Sequence, residues 1–212
     1  MRKEVLSHIQ YSGWKYFVVL LASILFWTTV FSALAHPKAH EKVSISCFVD
    51  ELEIGLINER LNAEKESITA QKLKVISVEN FPSGDPMLGV LLAMRKITSD
   101  ILIVSENVLA LNPSGSAQVD PKTFIPFSRE KLEELLEGKV ENLDFYYVEG
   151  YAVGIYLNKE DGTSGRFGDF YKGNERCVAF LSNESVNLGS LYDIGDPSNR
   201  AALDVLVYLL TK

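Results

Sequence analysis

Histidine, the side chain most often used as a general base and as a zinc ligand, is confined to the start of this chain of 212 residues. The three histidines are His8, His36 and His40. His36 and His40 have the i, i+4 spacing of a helical metal-binding pair, but Pro37 between them favours an irregular linker. We therefore expect no catalytic histidine, no metal site and no cofactor.

The two cysteines, Cys47 and Cys177, each lie in an apolar run with the composition of a β-strand. So few cysteines exclude a scaffold held together by disulfides. Two buried free thiols are one interpretation. A single disulfide between neighbouring strands, in an oxidising compartment, is the alternative, and the sequence does not show whether the two strands are neighbours.

Carboxylates are plentiful, with 28 acidic and 21 basic residues in the whole chain. Beyond residue 35 the balance is more acidic still, since Arg2, Lys3, Lys15 and only one acid, Glu4, precede that point. An acidic domain lacks the basic face that nucleic acids require, so we expect no nucleic-acid partner. No carboxylate pair has a recognisable catalytic spacing, and we expect no enzyme.

Residues 16–35 form an uninterrupted stretch of 20 residues without a charge. As a helix this stretch would cover about 30 Å, the thickness of the bilayer's hydrocarbon core. The basic residues Arg2, Lys3 and Lys15 favour an N-terminus inside the cell. Ala33, Leu34 and Ala35 offer a cleavage site of the small-x-small type, so a cleaved signal peptide is the alternative to a retained anchor.

The retained anchor predicts a single-pass protein of the cell membrane, in contact with lipid through residues 16–35. The predicted segments are a cytoplasmic N-terminus at 1–15, the span at 16–35, a linker at 36–41 and an extracellular α/β domain at 42–212.

Predicted strands and helices alternate along that domain. Period-2 and short apolar runs predict strands at 42–49, 73–78, 100–104, 145–148, 151–157 and 176–182. Helical periodicity predicts helices at 51–62, 87–97, 129–137 and 200–210. The helix at 87–97 is apolar on most sides, which predicts deep burial, and the Gly-rich stretch 158–174 predicts a surface loop. The order indicates a βαβαβ unit in a three-layer αβα domain.

Open sheets of this kind bind ligands beyond the carboxyl ends of their parallel strands. The polar residues predicted to lie there, and hence the weak candidates for ligand binding, are Asp50, Asn80, Asp85 and Glu106. Asp50 and Asp85 also stand where a helix N-cap is expected, so a purely structural role is the alternative for these two.

Several short segments resemble one known family. They are the strand-helix-strand opening at 43–78, SDILIV at 99–104, FIPFS at 124–128, EGYAVGI at 149–155, and the strand and helix of the tail at 180–210. In this order they resemble the first lobe of the extracellular solute-binding proteins of ABC importers, which have the type II periplasmic-binding fold. Each motif is weak, and the order carries the resemblance.

The resemblance implies a membrane-anchored, single-lobe protein with a binding or accessory role in a transport system. In the family a second lobe lies between the hinge strand and the returning strand, where this chain has only residues 158–175. Tyr156 replaces the usual proline, and the family's lipoprotein cysteine is absent. The alternative function is a structural or assembly protein of an envelope complex that binds no small ligand. Its partner would be an envelope protein or a second copy.

Overall fold

A long apolar helix opens the chain. In the computed structural model, the described residues are 2–35, 37–110, 123–128, 143–158, 164–189 and 198–211. Contacts divide the chain into two units, Met1–Lys38 and Ala39–Lys212. Helix α1 (Arg2–Ala35) contains a window, Gly13–Phe31, that is long and apolar enough to cross a membrane. Such a helix is compatible with a single-pass anchor, and a signal sequence has the same composition.

The second unit is built on a mixed six-stranded sheet, which confirms the α/β class. The strands are β1 (Lys42–Phe48), β2 (Val75–Asn80), β3 (Ile101–Ser105), β4 (Phe145–Val148), β5 (Tyr151–Tyr156) and β6 (Cys177–Leu181). Their order across the sheet is β2-β1-β3-β6-β5-β4. Strand β1 pairs parallel with β2 and β3, whereas the three remaining pairings are antiparallel.

Helices cover both faces of the sheet. They are α2 (Ile54–Ile68), α3 (Leu88–Thr98), the short α4 (Glu106–Ala110) and α5 (Ala201–Leu210). Alternate residues of a strand point to opposite faces, so the core has two halves. Ile45 and Ile103 pack with α2 and α5 on one face, while Phe48, Leu102 and Phe180 pack with α3 and α4 on the other.

Helix α2 differs from its predicted limits of 51–62 at both ends. It begins at Ile54 and continues to Ile68, six residues beyond the predicted end. The additional residues are held by tertiary contacts. Tyr208 donates a hydrogen bond of 2.8 Å to Glu64, and Lys65 Nζ donates one of 2.7 Å to the carbonyl of Lys74. Such distant partners do not show in local periodicity.

The Gly-rich stretch predicted to be a surface loop is partly core. Within its described part, Arg166–Asp169 form a 3₁₀ turn, and Phe167 and Phe170 are fully buried. A Cβ on Gly165 would lie 2.3 Å from the backbone of Leu210, so the turn approaches α5 closely because residue 165 has no side chain. The surface-loop prediction is wrong here. The predicted helix at 129–137 lies outside the described residues.

The predicted deep burial of the helix at 87–97 is also wrong. Of α3, only Leu92 is buried, and Leu88 and Leu91 are partly covered. Four large apolar side chains next to them are more than half exposed, namely Met87 (53%), Val90 (52%), Met94 (59%) and Ile97 (62%). We call these four residues the α3 apolar surface. Their exposure follows from the tertiary arrangement, because α3 packs on the sheet with one side only.

The two cysteines are buried and free. Cys47 of β1 lies opposite Ile103 of β3, and Cys177 of β6 lies opposite Ser105 of the same strand. Because β3 separates them, the two thiols are about two strand spacings, or roughly 10 Å, apart across the sheet, and no disulfide can join them. The free-thiol interpretation is the correct one.

Burial of these thiols predicts that stability falls at alkaline pH. Desolvation raises the pKa of Cys177 from 9.0 to about 12, and it also raises the pKa of Cys47. Below pH 9 both folded and unfolded chains hold thiols, so stability is at its full value. As the pH rises from 9 towards 12, the unfolded chain releases these protons and the folded chain keeps them, so stability falls. Urea unfolding across this range measures the effect, and a constant midpoint would contradict it.

Candidate functional site

The carboxyl edge of the parallel strands is where side chains from the most elements meet. Strands β1, β2 and β3 all end at this edge, because they are parallel. Strand β5 ends there too, and β6 begins there, since Tyr156 pairs with Val178 and Ser105 with Cys177. All four residues predicted from the sequence lie along this edge.

Asp50, Asn80 and Asp85 lie on the side of the edge formed by β1 and β2. The Asp50 carboxylate accepts hydrogen bonds from the backbone N–H of Ser83, at 2.9 Å, and from the Ser83 hydroxyl. Asp50 therefore joins the turns that follow β1 and β2, and the expectation that it caps a helix is wrong. Asp85 Oδ1 accepts from the Met87 N–H at 2.8 Å and holds the turn that leads into α3.

Asn80 is the last residue of β2 and pairs with Cys47 across the ladder. Its Oδ1 atom is buried without a hydrogen-bond partner within the described part of the chain. The side chain as a whole is only partly buried.

Glu106 points the other way, into a cluster formed with β5 and β6. Tyr156 donates a hydrogen bond of 2.6 Å to Glu106 Oε1. Arg176, directly before β6, lies with its guanidinium carbon 3.5 Å from the centre of the Tyr156 ring. The same guanidinium pairs with Asp144 and lies 3.7 Å from Glu106 Oε1. We call Glu106, Asp144, Tyr156 and Arg176 the Arg176 cluster.

Burial and charge are unequal within the cluster. The Arg176 side chain is 18% exposed, whereas Glu106 and Asp144 are 42% and 50% exposed. Burial raises the pKa of Tyr156, and its hydrogen bond to Glu106 and the negative charge there raise it further. With Glu175 beside it in the chain, Arg176 is one cation among three carboxylates. The edge therefore presents an excess of negative charge.

The cluster presents charged and aromatic groups at the carboxyl edge. Its tyrosine keeps its proton, its arginine is paired with acids, and it holds no thiol, hydroxyl and base in the arrangement that activates a nucleophile. Among the described residues no group of three histidine, cysteine, aspartate or glutamate side chains could hold a metal ion. Carboxylates and tyrosine rings together suit a cationic group of a ligand.

Three members of the Arg176 cluster were missed by sequence reasoning. These three residues, Asp144, Tyr156 and Arg176, lie on different predicted strands or beside them. No sequence motif or short spacing links them. The one signal was Tyr156, which stands where the resemblance expects proline. The cluster exists because β6 inserts antiparallel between β3 and β5, which brings Arg176 next to Glu106 and Tyr156.

An open groove of about 890 Å³ lies at the opposite edge of the sheet. It is lined by residues just before β1, the end of α2 with the connection to β2, and the residues before and in the first turn of α5: His40, Glu41, Ile68, Thr69, Ala70, Gln71, Lys72, Ser198, Asn199, Arg200 and Asp204. Asp204 accepts bonds from Thr69 at 2.6 Å and from Arg200 at 2.8 Å. Gln71 accepts from the Ala201 N–H at 3.1 Å. These bonds fasten α5 to the connection after α2, which indicates a structural role for the groove.

Comparison of the chain with models of protein families, with curated proteins and with solved structures finds no match.

Removal of the Arg176 side chain is expected to destabilise the domain by about 1–2 kcal/mol, since the stacking on Tyr156 and the bonds to two partly exposed acids are lost. Arg60→Ala is the matched control, because Arg60 makes an exposed i, i+4 pair with Glu64, which water and salt screen. Urea unfolding of Arg176→Ala and Arg60→Ala gives the comparison. Equal losses would show that the Arg176 cluster contributes no more than a surface ion pair.

Proposed function

We propose that this chain is a membrane-anchored extracellular binding domain that acts as an accessory to a transport system. In this proposal the carboxyl edge of the sheet forms one wall of a binding site, and a partner supplies the other. The observation that carries the proposal is the Arg176 cluster, in which polar side chains from four separate segments converge at one edge.

The position and the chemistry of the cluster support binding. Ligands of open α/β sheets lie beyond the carboxyl ends of the strands, and the cluster is at that edge. Its groups are already held by one another, as recognition groups are when a site is formed before its ligand arrives. The excess of carboxylates favours a solute or a partner segment that carries a positive charge.

The short connection between β5 and β6 supports a binding site with only one wall in this chain. Only residues 157–176 separate these strands, and their described part packs a 3₁₀ turn, with Phe167 and Phe170, into the core. No second lobe fits in 20 residues. The segments that resemble solute-binding proteins continue on both sides of this connection, so the resemblance supports one lobe that works with another protein.

The one-wall arrangement predicts weak binding of free solutes. Small-ligand sites typically bury about 70–90% of the ligand, and one wall leaves much of it in water. Screening by that water weakens each contact with Glu106 and Asp144. Isothermal titration of the purified full chain in detergent, with amino acids, amines, peptides and sugars, is expected to give millimolar affinities or weaker. A micromolar complex with the monomer would contradict the need for a partner.

Cross-linking in cells tests the transport role. A photoactivatable residue at Asp144, which is half exposed at the carboxyl edge, is compared with one at Glu59, which is exposed on α2. We expect capture of a transporter subunit from position 144 and not from position 59. Capture of envelope structural proteins alone would instead favour the alternative, an assembly protein without a small ligand. Equal capture from both positions would show that the carboxyl edge is not the surface that contacts the partner.

A further inference from the structure

The α3 apolar surface leaves four large side chains in contact with water. Met87, Val90, Met94 and Ile97 follow one another at intervals of three and four residues, so they form a continuous stripe along the helix. Single exposed apolar residues are ordinary on protein surfaces, but a continuous stripe marks a surface that binds something. This stripe is separate from the Arg176 cluster.

The charges of α3 differ from those of the domain around it. Helix α3 contains Arg95 and Lys96 in its last turn and no acidic residue, although acidic residues predominate beyond residue 35. Arg95 pairs with Glu79 of β2 and lies over the ring of Phe81, with 5.4 Å between the guanidinium carbon and the ring centre. An apolar stripe beside basic residues is the composition of helices that lie in the interface of a bilayer.

We propose that the α3 apolar surface docks on the lipid bilayer, with its side chains among the acyl chains next to the headgroups and Lys96 near lipid phosphates. This inference rests on the proposed membrane anchor. The last turn of α3 adjoins β1, the first strand after the linker, since the Ser44 hydroxyl donates to the Thr98 carbonyl at 3.3 Å and Ser46 bonds Ser99 at 2.7 Å.

The size of the surface favours lipid over a second copy of the chain. Helix α3 has 11 residues and a length of about 16 Å, and its stripe is one side chain wide. A stable interface between two proteins buries about 800 Å² on each partner, more than such a stripe provides. A bilayer needs no such area, because the anchor already keeps the domain at its surface and a weak contact then becomes effective.

Quenching by brominated lipids tests the docking on the full chain in nanodiscs of phosphatidylcholine and phosphatidylglycerol. An environment-sensitive fluorophore is attached at Met94→Cys or, as the matched control, at Leu56→Cys. Leu56 is an apolar residue of α2 that is 43% exposed on the other face of the sheet. The native cysteines are buried and free, and wild-type chain carried through the same labelling gives the background. We expect loss of fluorescence with brominated lipid at position 94 and none at position 56.

Tryptophan fluorescence in the same nanodiscs measures independently whether α1 is inserted in the bilayer. The only tryptophans are Trp14 and Trp27, and both lie in the apolar window of α1. If brominated lipid quenches the tryptophans but not the label at position 94, α1 is in the bilayer and α3 is not. That result would support the anchor and overturn the docking. Unquenched tryptophans would overturn the anchor and, with it, the docking. An unquenched label, together with a disulfide-linked dimer of the unlabelled Met94→Cys chain, would show a second copy as the occupant, which also overturns the proposal. Val90→Glu in the Met94→Cys chain is expected to reduce the quenching.

Discussion

Leu92→Asp is expected to unfold the domain, whereas Met94→Asp is expected to leave its stability almost unchanged. Leu92 is 3% exposed and packs against β-strand residues such as Leu102, so a carboxylate there would be buried without a partner. The penalty is several kcal/mol, about 3–5, which is comparable to the whole stability of a domain of about 5–15 kcal/mol. Met94 is 59% exposed two residues further along the same helix, and surface changes stay within about 0.5 kcal/mol.

Circular dichroism melts of the two variants and of wild type measure this difference. The pair is matched, since both substitutions place the same residue in α3 and cost the same in helix propensity. Similar losses in both variants would show that α3 is buried on both sides, as its composition alone suggested. A stable Leu92→Asp chain would show that α3 does not pack on the sheet.

Asp100→Ala is expected to have the second largest effect, a loss of about 3–5 kcal/mol. Asp100 immediately precedes β3, and its carboxylate accepts four hydrogen bonds. Ser44 donates its N–H at 2.7 Å and its hydroxyl at 2.9 Å, Asn187 donates Nδ2 at 3.2 Å, and Ser185 donates its hydroxyl. Ser185 is 4% exposed, so water cannot replace the acceptor that its hydroxyl loses, whereas Asn187 Nδ2 still donates to the carbonyls of Ala39 and Lys42. Each unsatisfied buried donor costs about 1–3 kcal/mol.

Asp85→Ala provides the control for this substitution. Asp85 accepts one hydrogen bond in an exposed turn, from the Met87 N–H, and removal of one such bond costs about 0.5–1.5 kcal/mol. Urea unfolding of both variants gives the two free energies. If Asp100→Ala loses no more than Asp85→Ala, the network around Asp100 does not hold the start of β3 to residues 185–187.

The sequence by itself determined the elements whose signals are local. The uncharged stretch at 16–35 predicted the apolar helix, and period-2 and short apolar runs predicted these six strands to within two residues. The predicted strands at 145–148 and 151–157 leave only Glu149 and Gly150 between them, and in the structure their φ angles of 51° and 87° suit a two-residue hairpin turn. The parallel order of the first three strands followed from their alternation with helices. These features depend on residues a few positions apart.

The tertiary structure decided the features that depend on distant pairings. Insertion of β6 between β3 and β5 assembles the Arg176 cluster from residues as far apart as Glu106 and Arg176. The position of β3 between β1 and β6 keeps the two cysteines apart. Burial is decided the same way. Periodicity shows that α3 is apolar on most sides, but only the packing shows that Leu92 is covered and Met94 is not. A side chain is buried by whatever folds against it, and at these positions the partner is far away in the sequence.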